Sequence, residues 1–227
     1  MTRGEFLEFP PQGFSLKWYS RVAHDPEWTD PFKRSLLVGL EATLIATVIG
    51  TAAALAMRRL AERGAWLRTF FVAPIAMPIV AYGLGLWDLF DRTHWLEGST
   101  LPVAIGQAVL AFPLVYVVVS AGLASIDPRI TRAATSLGAR WPTVVWRIEL
   151  PLVKTSILAG LLFAFTLSFD EVVVALFLAP PDKITLPLQM FHAAKESISP
   201  ELSAASTIVV TLVATVLALG GLAERRA

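Results

Sequence analysis

Long apolar runs separated by short polar stretches set the pattern of this chain. Five runs, at 35–57, 69–89, 100–125, 155–179 and 201–223, are each near or above the roughly 20 apolar residues that a helix needs to cross a bilayer core. The first carries small residues along its length (Gly39, Ala42, Ala46, Gly50, Ala53, Ala54), which suits close helix packing in lipid. Pro74 and Pro78 lie inside the second run and Pro113 inside the third; each removes a backbone donor, and the first two are expected to bend their helix. Asp170 and Glu171 break the fourth. Residues 1–34 are mixed polar and aromatic, with one short amphipathic helix expected around 15–23. The pattern therefore predicts an all-α, polytopic transmembrane helical bundle of five spans. One membrane domain covers 35–223, an extracytoplasmic segment covers 1–34, and a cytoplasmic tail covers 224–227.

Composition agrees with a membrane protein. Hydrophobic residues make up 55% of the chain and charged residues 16%, against about 25% charged in an ordinary soluble domain; mean hydropathy is +0.62. A net charge of +1 gives no case for nucleic acid. The absence of cysteine excludes disulfides, thiolate metal sites and cysteine nucleophiles.

The distribution of charge orients the bundle. One set of loops holds Arg58, Arg59, Arg63, Arg68, Arg129, Arg132, Arg140, Arg147, Lys154, Arg225 and Arg226. The other holds only Arg92, Lys183 and Lys195. The positive-inside rule places the first set in the cytoplasm. Five spans then put the N-terminal segment outside, although it is basic and carries no apolar leader; a further helix upstream would remove that difficulty.

The polar stretch 127–151 between the third and fourth runs is a basic, Pro-bounded insert with its own signals. Asp127-Pro128 reads as an N-cap followed by proline at the first helical position. Ile130, Ala133, Ala134 and Leu137 share one face, with Arg129, Arg132 and Ser136 on the other. Gly138 suits the left-handed position that ends a helix. A second helical segment, 142–149, is expected to stop before Pro151. The result is a helix–Gly–helix elbow on the cytoplasmic surface. Its alanine-rich face is a weak lipid anchor and suits a groove on a partner protein better.

With Ala133, Ala134, Gly138, Ile148, Leu150 and Pro151 at their observed spacings, this stretch resembles the cytoplasmic loop of binding-protein-dependent ABC importer permeases. The family's leading Glu is Arg132 here. The segments Phe165-Thr-Leu-Ser-Phe-Asp-Glu-Val-Val-Val174, Leu186-Pro-Leu188 and Ser199-Pro-Glu201, with Lys17-Trp-Tyr-Ser20, look like the second permease subunit of spermidine/putrescine-type systems. The resemblance implies a type I importer permease fold of six helices, the first of which is missing from this chain. It also implies a bacterial inner-membrane location and three partners besides lipid: an ABC ATPase subunit, a second permease completing a heterodimer, and a periplasmic solute-binding protein. Arg132, Ala133, Ala134, Leu137, Gly138, Ile148, Leu150 and Pro151 would form the ATPase-coupling elbow.

Intramembrane carboxylates are costly and tend to face a bundle interior or a wet pathway. Asp170 and Glu171, with Thr166 and Phe169, are the candidates for lining a pathway for an organic polycation; pairing with a partner helix or capping a broken helix is the other reading. Glu41 and Asp88 sit near span ends and read as interfacial, and Gln107 reads as an interhelical hydrogen bonder. His24, His94 and His192 share no ligand spacing, so no metal site is expected. No phosphate-binding G-x-x-x-x-G-K-[ST] and no nucleophile–base pair occurs, so neither a cofactor nor catalysis is expected, and any ATP chemistry belongs to another subunit. The alternatives are a permease for another solute such as ferric iron, an ion-coupled secondary transporter using Asp170/Glu171, and a scaffold that assembles without transporting.

Overall fold

A computed structural model describes residues 15–60, 65–94, 96–196 and 199–224 of the chain. Arg63, Trp95, Arg225 and Arg226, together with residues 1–14 of the expected N-terminal segment and most of the expected C-terminal tail, lie outside the described residues. The described residues form helices and turns with no strand. The short helix α1 (Lys17–His24) is amphipathic, as its pattern predicts, and buries Trp18 and Val22.

Helix α2 runs from Pro26 to Leu60 without a break, well beyond the expected start at residue 35. Asp25 explains the earlier start. Its backbone oxygen accepts from Trp28 and Thr29, its side chain accepts from the Glu27 amide at 2.9 Å, and Pro26 occupies the first helical position. Thirty-five residues make a rod of about 52 Å, so α2 overhangs a core about 30 Å thick. The extension also moves Glu41 from near a span end to near the middle of a helix, where one carboxylate oxygen is buried without a partner.

The second run is not a gently bent helix. It consists of α3 (Ala65–Val72), a 3-10 turn at Ala73–Ala76 and α4 (Ile79–Thr93), with a 97° change of direction. The paired prolines cause it: Met77 and Pro78 are both extended, and Pro78 leads directly into α4. Helix α5 (Leu101–Ala124) follows its expected bounds and tolerates Pro113. After the elbow come α9 (Lys154–Asp170), α10 (Val173–Leu178), α11 (Leu186–Glu196) and α12 (Pro200–Glu224). The polar stretch between the last two runs holds a turn at 180–185 followed by the helix α11.

By length and composition α2 and α5 can each cross a membrane, and the two bent pairs can do so if each counts as one span. Helix α12 contributes a shorter apolar stretch, Pro200–Thr215, among the described residues. The core is built where α2, α5 and α9 meet, from Val38, Ala42 and Ala46, Ala104, Ala108 and Val115, and Ala164. A second cluster joins α1 to α12 through Trp18, Trp28, Phe169, Leu186 and Ala204. Small residues at these contacts let the backbones approach closely.

Candidate functional site: an elbow and a broken span

The elbow begins with the cap predicted for it. The Asp127 carboxylate accepts from the Arg129 amide at 2.8 Å, Pro128 opens α6 (Pro128–Ser136), and the Gly138 φ of +85° ends it. Amides of Leu137, Gly138 and Ala139 donate back to the carbonyls of Ala133, Thr135 and Ala134, satisfying the last turn. Nothing lies within 4 Å of a Cβ built on Gly138, so the backbone angle, not space, requires glycine. The helix stands off the bundle: none of its residues is buried, Ile130 is 44% exposed and Leu137 is 89% exposed. The Arg132 guanidinium donates to the carbonyl of Pro128 on its own helix.

The second arm differs from expectation. It comprises α7 (Trp141–Val144), a π-turn at Val145–Glu149 and α8 (Leu150–Leu152), so it continues through Pro151 rather than stopping before it. The wider turn explains why. The Leu150 amide reaches back to the Val145 carbonyl and the Val153 amide to Glu149, so the N–H that proline lacks falls where the hydrogen-bond register changes. Beyond Val153 the chain turns by 71° into α9.

This arm is fastened to the bundle by an ion pair that sequence reading missed. Glu149, 6% exposed, lies in the π-turn and meets Arg58 Nε at 3.1 Å. Arg58, in the last turn of α2, also donates to the Leu123 carbonyl near the end of α5. One guanidinium therefore ties α2, α5 and the elbow together. The signal in the sequence was the second acid of a basic loop whose first, Asp127, is the cap; the partner of Glu149 is 91 positions away.

The structure separates the four pathway candidates. Asp170 ends α9 and is exposed. Glu171 is buried, and its two carboxylate oxygens accept from the amides of Val173 (2.7 Å) and Val174 (2.9 Å), capping α10. Phe169 is 1% exposed, stacked on Phe165 at 5.6 Å and edge-on to Phe32 at 6.2 Å. Thr166 is half-buried and donates to Leu162 on its own helix. Only Asp170 leaves a charged group facing outward from the break.

Gln107 makes the interhelical contacts expected of it. Its side-chain oxygen accepts from Ser168 at 2.6 Å, and its amide donates to the Glu171 carbonyl at 3.5 Å, so α5 braces the broken span. Asp88 is paired with Arg92 at 2.7 Å on an exposed face. Trp87 is exposed, consistent with an interfacial position.

The model of the binding-protein-dependent transport system inner membrane component family matches residues 46–225, a stretch that contains the whole elbow and the break. The chain belongs to this family. It is 32% identical over 211 residues to the putrescine transport system permease protein PotI of Escherichia coli K12, covering 90% of this chain and 75% of that protein. It is 31% identical over 202 residues to the spermidine/putrescine transport system permease protein PotC of the same organism, covering 88% and 76%. Among solved structures, an amino acid ABC transporter superposes with a TM-score of 0.70 at 18% identity, covering 94% of this chain and all of that one. The bundle thus has the type I ABC importer permease fold, and the chain is a transport permease component of the inner membrane.

Proposed function

We propose that this chain is the membrane-spanning permease subunit of an ATP-driven importer that carries a polyamine, putrescine or spermidine, into the bacterial cytoplasm. A separate ATPase receives the elbow formed by Arg132 to Pro151, with Leu137 as its most exposed apolar side chain. A second permease completes the pathway, and a periplasmic binding protein delivers the solute. The observation that carries this reading is the elbow itself: a capped helix held away from the bundle with its apolar side chains uncovered, yet fastened to α2 and α5 through Arg58 and Glu149. A groove on a partner is the fitting environment for such a helix. The choice of polyamine is supported by the two relatives above and by Asp170, an exposed carboxylate at the break, which suits an alkylammonium.

The test is uptake into right-side-out vesicles, loaded with ATP or left without it, that contain this chain with its partner permease, ATPase and binding protein. Labelled putrescine or spermidine should accumulate only with ATP, and excess ferric iron should not compete. Uptake that follows an ion gradient and ignores ATP would refute the coupling role. Uptake blocked by iron and indifferent to polyamines would refute the substrate class.

A further inference from the structure

The cytoplasmic end of the bundle contains a cavity of about 600 Å³ that the transport reading leaves without a task. Ala54, Met57 and Leu123 make its floor apolar. Arg58, Arg68 and Arg132 stand at its edge, and no acidic side chain among the described residues lines it. Arg58 is neutralised by Glu149. Arg68 and Arg132 form no ion pair among the described residues. The hydroxyl of Ser120, on the α5 wall of the same cavity, is buried and has no hydrogen-bond partner. Two guanidinium groups with no ion pair among the described residues and an orphaned donor thus line one cavity beside an apolar floor, a donor set suited to a phosphate diester.

Exposed aromatic side chains surround this end. Trp66, Trp141 and Trp146 are 69%, 43% and 73% exposed, and Arg59 stacks over Trp141 at 5.1 Å. Trp66, which lies outside the elbow given to the ATPase, is the kind of exposed tryptophan that settles at the level of lipid headgroups. Basic pockets between helices on the cytoplasmic side favour anionic headgroups.

We propose that this cavity binds the phosphate of an anionic phospholipid, held by Arg68, Arg132 and the Ser120 hydroxyl, with the glycerol and upper acyl region on the apolar floor. The lipid then bridges α3, α5 and α6. This gives a task to Arg132, the one elbow residue at which the family resemblance fails. A free phosphate would have no use for the floor or for Trp66. The proposal rests on the orientation given above, with the elbow in the cytoplasm, but its test does not depend on transport.

The complex of this chain with its partner permease and ATPase would be purified, stripped of lipid and titrated with dioctanoyl phosphatidylglycerol, dioctanoyl phosphatidylcholine or inorganic phosphate. Native mass spectrometry would count the bound molecules. Phosphatidylglycerol should bind and phosphatidylcholine should not. The pair Arg68→Gln/Arg132→Gln should weaken phosphatidylglycerol binding by roughly 30-fold, the effect of two cationic side chains at an anionic surface. Arg132→Lys should keep most of it, and Arg59→Gln, outside the cavity, should not change it. Unchanged binding in the double variant would overturn the site. Inorganic phosphate binding as tightly as the lipid would overturn the lipid as its occupant. Loss of the ATPase subunit from the double variant, with lipid binding intact, would assign Arg132 to the protein interface instead.

Discussion

Gly138 holds φ at +85° with open space around it, so any side chain there meets strain in the backbone alone. Gly138→Ala should cost about 1 kcal/mol locally. Faster amide exchange across α6, with the spans still protected, is the expected readout, and Gly138→Asn should be milder. Glu149 poses the opposite problem, a buried charge whose worth depends on its partner. Glu149→Ala leaves Arg58 uncompensated at the junction of α2 and α5 and should destabilise the bundle by about 3 kcal/mol. The double change Arg58→Met/Glu149→Leu should recover much of that, measured by thermal unfolding in detergent. The contrast shows what sequence could reveal. Asp127, Pro128 and Gly138 announce their roles because caps act on atoms within a few residues. The Arg58–Glu149 and Ser168–Gln107 contacts depend on folding before their members meet.

At the scale of elements, the junction of α2, α5 and α9 turns on missing side chains. A Cβ on Gly50 would lie 2.8 Å from Val115 Cβ, and one on Gly160 would approach Val115 at 3.3 Å. Gly50→Leu should push α2 off α5 at a cost of about 1–3 kcal/mol, seen as a lower melting temperature. Gly85→Leu, at a position with nothing within 4 Å, is the matched control and should be near neutral. Apolar runs predicted the positions of these helices well because burial in lipid acts on whole windows of sequence. Those runs did not show where α2 starts, since Pro26 to Arg34 is too polar to read as membrane and is helical through the Asp25 cap. Nor did they show the right-angle break between α3 and α4, because two prolines in one run signal a bend without its size.

For the whole molecule, the broken span gives a sharper expectation than the sequence alone. Four residues were candidates for the pathway, and packing uses three of them: Phe169 in an aromatic cluster, Glu171 as a cap and Thr166 in its own helix. Asp170→Asn should raise the KM for polyamine uptake by roughly tenfold, the loss of one charge-assisted contact, with little change in melting temperature. Glu171→Gln should instead lower stability, since it weakens the start of α10. A carboxylate that lines a path and one that caps a helix look alike in sequence, and only the direction of the side chain tells them apart.

Helix α2 is gripped at both ends. Near its N-terminus, Ser35 accepts from the Leu186 amide at 2.7 Å and Glu27 accepts from Gln189 at 3.0 Å, so α11 rests on it. Near its C-terminus, Arg58 holds the elbow. A partner pressing on α11 and a partner seated on α6 therefore act on opposite ends of one rod. Any free energy that links those two events is reciprocal: whatever the contact at α11 does to the affinity of the one at α6, the contact at α6 does in equal measure to the one at α11.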